Sequence, residues 1–128
     1  LKKSLTSSAT DNIDCILWAQ GQSDHTMNTN EYINNIQTVI QQYRSDLLKQ
    51  NIIFIANSLP GQSNIHHSSH LQGNALRMLN YDTDIYSKCI ESQDFSVEDP
   101  WHFSTESYRK LGLLYYKTFR DIQNNNEY

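Results

Sequence analysis

Two short, uninterrupted apolar runs do most to limit what this chain can become. IDCILWAQ at residues 13–20 and IIFIANSL at 52–59 are each bounded by polar residues. Runs of that length predict strands buried on both faces of a parallel sheet. Between them, apolar residues recur at Tyr32, Ile33, Ile36, Val39, Ile40, Tyr43, Leu47 and Leu48. That i, i+3, i+4, i+7 spacing predicts an amphipathic helix from Glu31 to Gln50. Asn28 with Glu31 three residues on has the form of a capping box, and Lys49 suits the negative end of the helix dipole.

Beyond Pro60-Gly61, residues 61–74 read as a polar, His-rich loop, 75–81 (ALRMLNY) as a short helix, and Ile85–Ile90 as a weak strand with poor alternation. A second amphipathic helix is predicted from an N-cap at Ser104 to Gln123, with a stripe of Tyr108, Leu111, Tyr115, Phe119 and Ile122. Gly112 within it costs about 1 kcal/mol relative to Ala, which predicts a close helix-to-sheet contact there. The expected class is α/β, a three-layer sandwich around a parallel sheet. Residues 1–12 read as a polar tail or linker, 13–123 as the domain and 124–128 as a frayed end. Two amphipathic helices do not suffice to cover both strong strands, so the sheet is expected to be incomplete, in keeping with Leu1 rather than Met at the start.

Composition removes several functional classes. A length of 128 residues suits one domain, and 38% hydrophobic with 19% charged residues allows a modest core. A net charge of −4, with no basic cluster longer than Lys2-Lys3, argues against nucleic-acid binding and electrostatic membrane anchoring. No apolar run approaches the roughly 18 residues of a membrane-spanning helix. Cys15 and Cys89 form no CxxC pair; two buried free thiols are expected, with a single bridge as the other option.

Three groups of residues could carry chemistry. Trp18-Ala19-Gln20-Gly21-Gln22-Ser23-Asp24 stands at the C-terminal end of the first strand, where open α/β sheets bind ligands. Gly21 would let the backbone turn and expose a main-chain N–H, with Gln22 and Ser23 as polar neighbours in an oxyanion site. The same letters also suit an ordinary turn with Asp24 as a local cap. In Asp99-Pro100-Trp101-His102, a carboxylate three residues before a His can hold one imidazole nitrogen and leave the other free as a base. Equally, Asp99 and Ser104 could cap a turn while His102 packs on Trp101. The third group, His66, His67 and His70, lies in a Ser-rich segment without a Cys or acid to complete a zinc site, and it reads as a loop rather than a metal centre.

Taken together, ILWAQGQSD, YRSDLLKQ, IIFIANSLP and DPWHFSTESYRKLGLLYYKTF resemble the SGNH-type esterases, within them the sialate O-acetylesterase and carbohydrate esterase family six branch. The resemblance covers about residues 13–119, in the family's order. Its most specific block holds Asp99, His102, Phe103, Ser104, Tyr108, Leu111 and Gly112. It implies a flavodoxin-like fold and O-deacetylation of an acetylated carbohydrate, sialate or xylan-type, by a serine nucleophile, with neither cofactor nor metal. His102 would be the base and Asp99 its orienting acid. Gly21, Gln22 and Ser23 would form part of the oxyanion or substrate wall, with Trp18 and Gln20 in support. Many relatives carry Glu where this chain has Gln22, so the acid role falls on Asp99. The family's Ser lies in a G-Q-S-N or G-D-S block upstream of W-x-Q-G, and nothing before Trp18 fits. The nucleophile is therefore expected in a missing N-terminal segment of the same domain. Ser63 in Gly61-Gln62-Ser63-Asn64 is the alternative, with the right letters in the wrong order. The rival function is a non-catalytic sugar-binding or assembly module of the same fold.

Overall fold

The computed structural model describes residues 13–21, 24, 26–60, 69–99 and 101–125, with the side chains of 69–71 left aside. Strand β1 (Cys15–Trp18) leads into helix α1 (Thr29–Asp46) and strand β2 (Ile53–Asn57). Helix α2 (Ser69–Arg77), a 3-10 helix (Met78–Tyr81), strand β3 (Ser87–Ile90) and helix α3 (Thr105–Asn125) complete the order. The three strands are parallel in the order β1-β2-β3, with Cys15 opposite Ile53 and Phe54 opposite Ser87.

The alternation of side chains along β2 divides the core into two layers. Phe54 and Ala56 pack with Tyr32, Ile33, Ile36 and Ile40 of α1 and with Ala75, Leu76 and Leu79. Ile53 and Ile55 face the other way, onto Leu111, Tyr115 and Ile122 of α3. Helices therefore cover both faces of the sheet, which is the three-layer α/β sandwich that the strand–helix–strand pattern predicts. All five residues of β2 are buried, as expected for its continuous apolar run.

β1 departs from that expectation. Among the described residues it has a single neighbour in the sheet, and α3 lies against β2 and β3. Ile16 and Trp18 pack on the α1 side, but Leu17 is 57% exposed. An apolar run reports hydrophobicity, not position in the sheet.

Three boundaries also move. α1 ends at Asp46 rather than Gln50, because Leu48 adopts a left-handed φ of 53° and Lys49 N donates to Arg44 O at 3.0 Å. With the bond from Leu48 N to Ser45 O at 3.2 Å, this is a Schellman turn without its usual glycine. α2 begins at Ser69, inside the expected loop. α3 continues to Asn125, past the expected frayed point. Both caps form: Glu31 N donates to Asn28 Oδ1 at 2.9 Å, and Ser107 N to Ser104 Oγ at 3.2 Å.

Gly112 is a plain correction. It is exposed, and a Cβ built there would meet nothing within 4 Å. One residue past buried Leu111 is about 100° around the helix, which turns position 112 off the buried stripe. Tyr108, expected in that stripe, is 48% exposed and instead stacks edge-on against Phe103.

Candidate active site

β1 and β3 end at the same edge of the sheet with β2 between them, about 10 Å apart at strand spacing. The Gly21 turn follows β1, and the Asp99–His102 segment lies in the connection from β3 to α3. Parallel pairing thus brings both predicted groups to the C-terminal ends of the strands.

At Gly21 the glycine is required. Its φ is +139°, and an added Cβ would lie 2.5 Å from Tyr32 Oη and 3.2 Å from Leu59 Cδ1. Asp24 N donates to Gly21 O at 3.1 Å, closing the turn, and Gln20 Nε2 donates to Asp24 Oδ2 at 2.7 Å. The Tyr32 hydroxyl donates to Gln20 O at 3.0 Å. From the other helix, Gln72 Nε2 donates to Asp24 O at 2.8 Å and Met27 O at 2.9 Å. Two helices thus hold a turn that its own sequence only permits. Burial pushes the Tyr32 hydroxyl up to about 12, so it remains a donor at neutral pH. The Trp18 indole N–H lies near enough to favour the Tyr32 anion, yet it falls short of hydrogen-bond geometry. Gln22 and Ser23 lie outside the described residues.

The second group is the tip of a narrow antiparallel turn. Val97 bridges Phe103, Glu98 N donates to His102 O at 3.0 Å, and Ser104 N donates to Ser96 O at 2.9 Å. The Ser96, Ser104 and Ser107 hydroxyls interlock at its base, with Oγ separations of 2.7 to 3.1 Å. Phe103 is buried beneath. At the tip, Asp99 Oδ1 accepts from Trp101 N at 2.7 Å and from His102 N at 2.9 Å. His102 Nδ1 lies 2.8 Å from Asp99 Oδ2. One carboxylate therefore caps the turn and also holds the ring, so the structural and chemical readings coexist. Hydrogen bonds from the His102 ring, and then from the Trp101 N–H, hold the Asp99 carboxyl below the usual carboxylate range. The His102 side chain is 64% exposed, and its Nε2 makes no hydrogen bond among the described residues.

Periodicity hides the polar residues that close this end of the sheet. The Tyr115 hydroxyl, on α3, lies 3.1 Å from Trp18 O and 2.7 Å from Asn57 Oδ1. It ties the helix after His102 to the strand before Gly21. Ser58 and Ser92, both buried, join β2 to β3: Ser92 N donates to Ser58 Oγ, and Ser92 Oγ to Ser58 O, each at 2.7 Å. The only hint of Tyr115 was a hydroxyl within an apolar stripe. The described serines near the strand ends are thus committed to structural bonds.

Ser63, His66 and His67 lie outside the described residues, and the His70 side chain is not among those described. Among the described residues, no three His, Cys, Asp or Glu side chains are grouped to hold a metal ion. Cys15 and Cys89 are free thiols, raised by burial to about 11 and about 12.

Comparison with known proteins adds a family to this geometry. The family described as "Carbohydrate esterase, sialic acid-specific acetylesterase" matches residues 1–121. A crystal structure of a protein from Arabidopsis thaliana superposes with a TM-score of 0.69 at 23% identity. It covers 86% of this chain, which spans 45% of that one; at such identity the likeness is one of fold. Among curated proteins, none matches.

Proposed function

The chain belongs to the sialic acid-specific acetylesterase family of carbohydrate esterases, and from that membership we propose that it supplies the acid–base half of a serine-dependent carbohydrate O-acetylesterase. The observation that carries this reading is the Asp99 carboxylate 2.8 Å from His102 Nδ1, at the end of a parallel sheet, with the ring exposed. In the proposed reaction a serine outside the described residues attacks the acetyl carbonyl. His102 Nε2 takes its proton and returns it to the departing sugar oxygen; water then releases acetate by the reverse exchange. Asp99 fixes the ring so that Nδ1 carries the hydrogen. The Gly21 turn, with Gln22 and Ser23, forms the wall that receives the oxyanion. Its rigid backbone, pinned by Tyr32 and Gln72, suits a group that must not move as charge develops. The substrate is an acetylated sugar of the sialate or xylan type, and the nucleophile lies in a segment upstream of this chain, with Ser63 as the alternative.

The test is His102→Ala in the protein that carries this chain, assayed for p-nitrophenyl acetate hydrolysis. A loss of at least about 10³-fold is expected, with the unfolding transition unchanged. An undiminished rate overturns the reading. Ser63→Ala alongside it assigns the nucleophile: full activity places that serine elsewhere, and a matching loss identifies Ser63.

A further inference from the structure

A different face of the molecule carries an open groove. Two adjoining cavities, of about 380 and 510 Å³, run between α1 and the 3-10 helix and share Gln37 and Asp82 as lining. Both are in the size range of small-ligand sites. Along α1 the groove is lined by Asn30, Asn34, Gln37 and Gln41. Their 4, 3, 4 spacing sets four carboxamides on one helix face, over about 16 Å of rise. Across from them stand Tyr81, 81% exposed, and Met78, 44% exposed.

We propose that this groove binds a neutral oligosaccharide, non-catalytically. Each part of the lining speaks for that ligand class. Among the described residues, the side-chain amides of Asn30, Asn34 and Gln41 make no hydrogen bond, so each offers a donor pair and an acceptor to a hydroxyl-rich partner. Gln37 Nε2 donates to Asp82 Oδ2 at 2.8 Å, which orients the amide at the waist between the two cavities. Tyr81 gives an exposed ring with a polar tip, the kind of surface on which the C–H face of a sugar ring stacks while its hydroxyls stay wet. Charge excludes the anionic alternatives. No Lys or Arg lines either cavity, Asp82 does, and Asp84 beside it is already paired with Arg44 at 2.7 Å. A phosphate or a sialic acid carboxylate would meet only like charge here. The length of the amide row suits several linked rings rather than one. The groove lies on the α1 side of the sheet, whereas the Asp99–His102 tip precedes α3 and its Val97 and Phe103 pack in the α3 layer, and the proposal does not depend on the esterase reading.

The experiment is an NMR titration of the isotope-labelled full chain with xylohexaose, cellohexaose and mannohexaose, and with a sialic acid trimer as the anionic control. At least one neutral hexaose is expected to bind with a Kd of about 1 mM or tighter, shifting the side-chain amide signals of Asn34 and Gln37. Tyr81→Ala, at a site exposed enough to leave the fold intact, should weaken that binding at least about tenfold. Asn34→Ala should weaken it to a smaller extent, and His102→Ala should leave it unchanged. The proposal is overturned if no neutral hexaose binds, if the sialic acid trimer binds as well as the best hexaose, if Tyr81→Ala binds like the parent, or if His102→Ala abolishes binding.

Discussion

At the N-terminal ends of the strands a buried cation, Arg44, pairs with a partly buried carboxylate; at the C-terminal ends, hydroxyls and amides are buried while the Asp99–His102 pair stands in solvent. Arg44, 5% exposed at the foot of α1, donates to Ile52 O just before β2 and to Asp84 just before β3, at 3.1 and 2.7 Å. Lys49 donates to Ile13 O at 3.0 Å and Asp14 Oδ1 at 2.6 Å, at the start of β1. One helix end thereby fixes the entry of all three strands. At the opposite edge, Asp99 and His102 are 46% and 64% exposed in their side chains, and the ion pair just past β3, Arg77 with Glu91 at 3.3 Å, is itself partly exposed. The contrast separates an end built for stability from an end that leaves reactive groups reachable. Each variant below tests that division, in descending order of expected effect.

Arg44→Ala should be the most damaging. It leaves the Asp84 carboxylate and the Ile52 carbonyl without their partner, a loss of about 3–5 kcal/mol for a broken buried pair, read by urea unfolding. The pair also predicts a pH dependence. Burial raises the Asp84 carboxyl, but bonds from Arg44, Ser87 and the Tyr86 N–H outweigh it and leave it below its ordinary value. A depressed pKa contributes stability above the unfolded-state value of about 4, and that stability is lost as pH falls through the lower folded value. Asp84→Asn should flatten the acid limb of the stability profile. An unchanged limb would mean that the charges at this end contribute little.

Gly21→Ala comes next and probes the other end. The methyl would need both a strained φ and the space taken by Tyr32 Oη, a buried and rigid ring tip. Together these cost about 2–4 kcal/mol. Tyr115→Phe should cost less, about 1–2 kcal/mol, by leaving Asn57 Oδ1 buried without its donor. If Tyr115→Phe proved as damaging as Arg44→Ala, the division between the two ends would fail.

The same contrast explains what the sequence reveals. Apolar patterning, periodic in α1 and α3 and continuous in β2, identifies these elements because their buried residues, such as Ile36, Phe54 and Leu111, are buried for being apolar. It misses Arg44, which continues the Ile33–Ile36–Ile40 face and is buried as deeply, because a cation on an apolar face is read as solvated until its partner, forty residues on, is known. It starts α2 late for a related reason: SHLQGNALR is too polar to show a period, and Gln72 is buried because its amide finds the Asp24 and Met27 carbonyls. It misplaces Gly112, since a glycine in a helix reads alike whether it faces a sheet or solvent. The Asp99–His102 pair is legible because both partners are local, three residues apart in one turn. Gly21 is legible as a pivot, while its crowding by Tyr32 and Leu59 is a product of the fold.

The smallest effect on stability is expected at the residues proposed to matter most for chemistry. Asp99→Asn replaces an exposed carboxylate with an isostere that still accepts from the Trp101 and His102 N–H groups, so the unfolding midpoint at neutral pH should match the parent's. What should change is the ring. A carboxylate can only accept, so it selects the neutral His102 tautomer with hydrogen on Nδ1; the Asn amide can also donate to that nitrogen, which moves the hydrogen to Nε2 and removes the free base. Nitrogen-15 NMR of the imidazole distinguishes the two tautomers. The parent should show Nδ1–H, and Asp99→Asn should show a shift toward Nε2–H at unchanged stability. A retained Nδ1–H in the variant would mean that the turn backbone, rather than the carboxylate, sets the ring. A large loss of stability would make this tip a structural clamp like the Arg44 end, and the contrast between the two ends of the sheet would be lost.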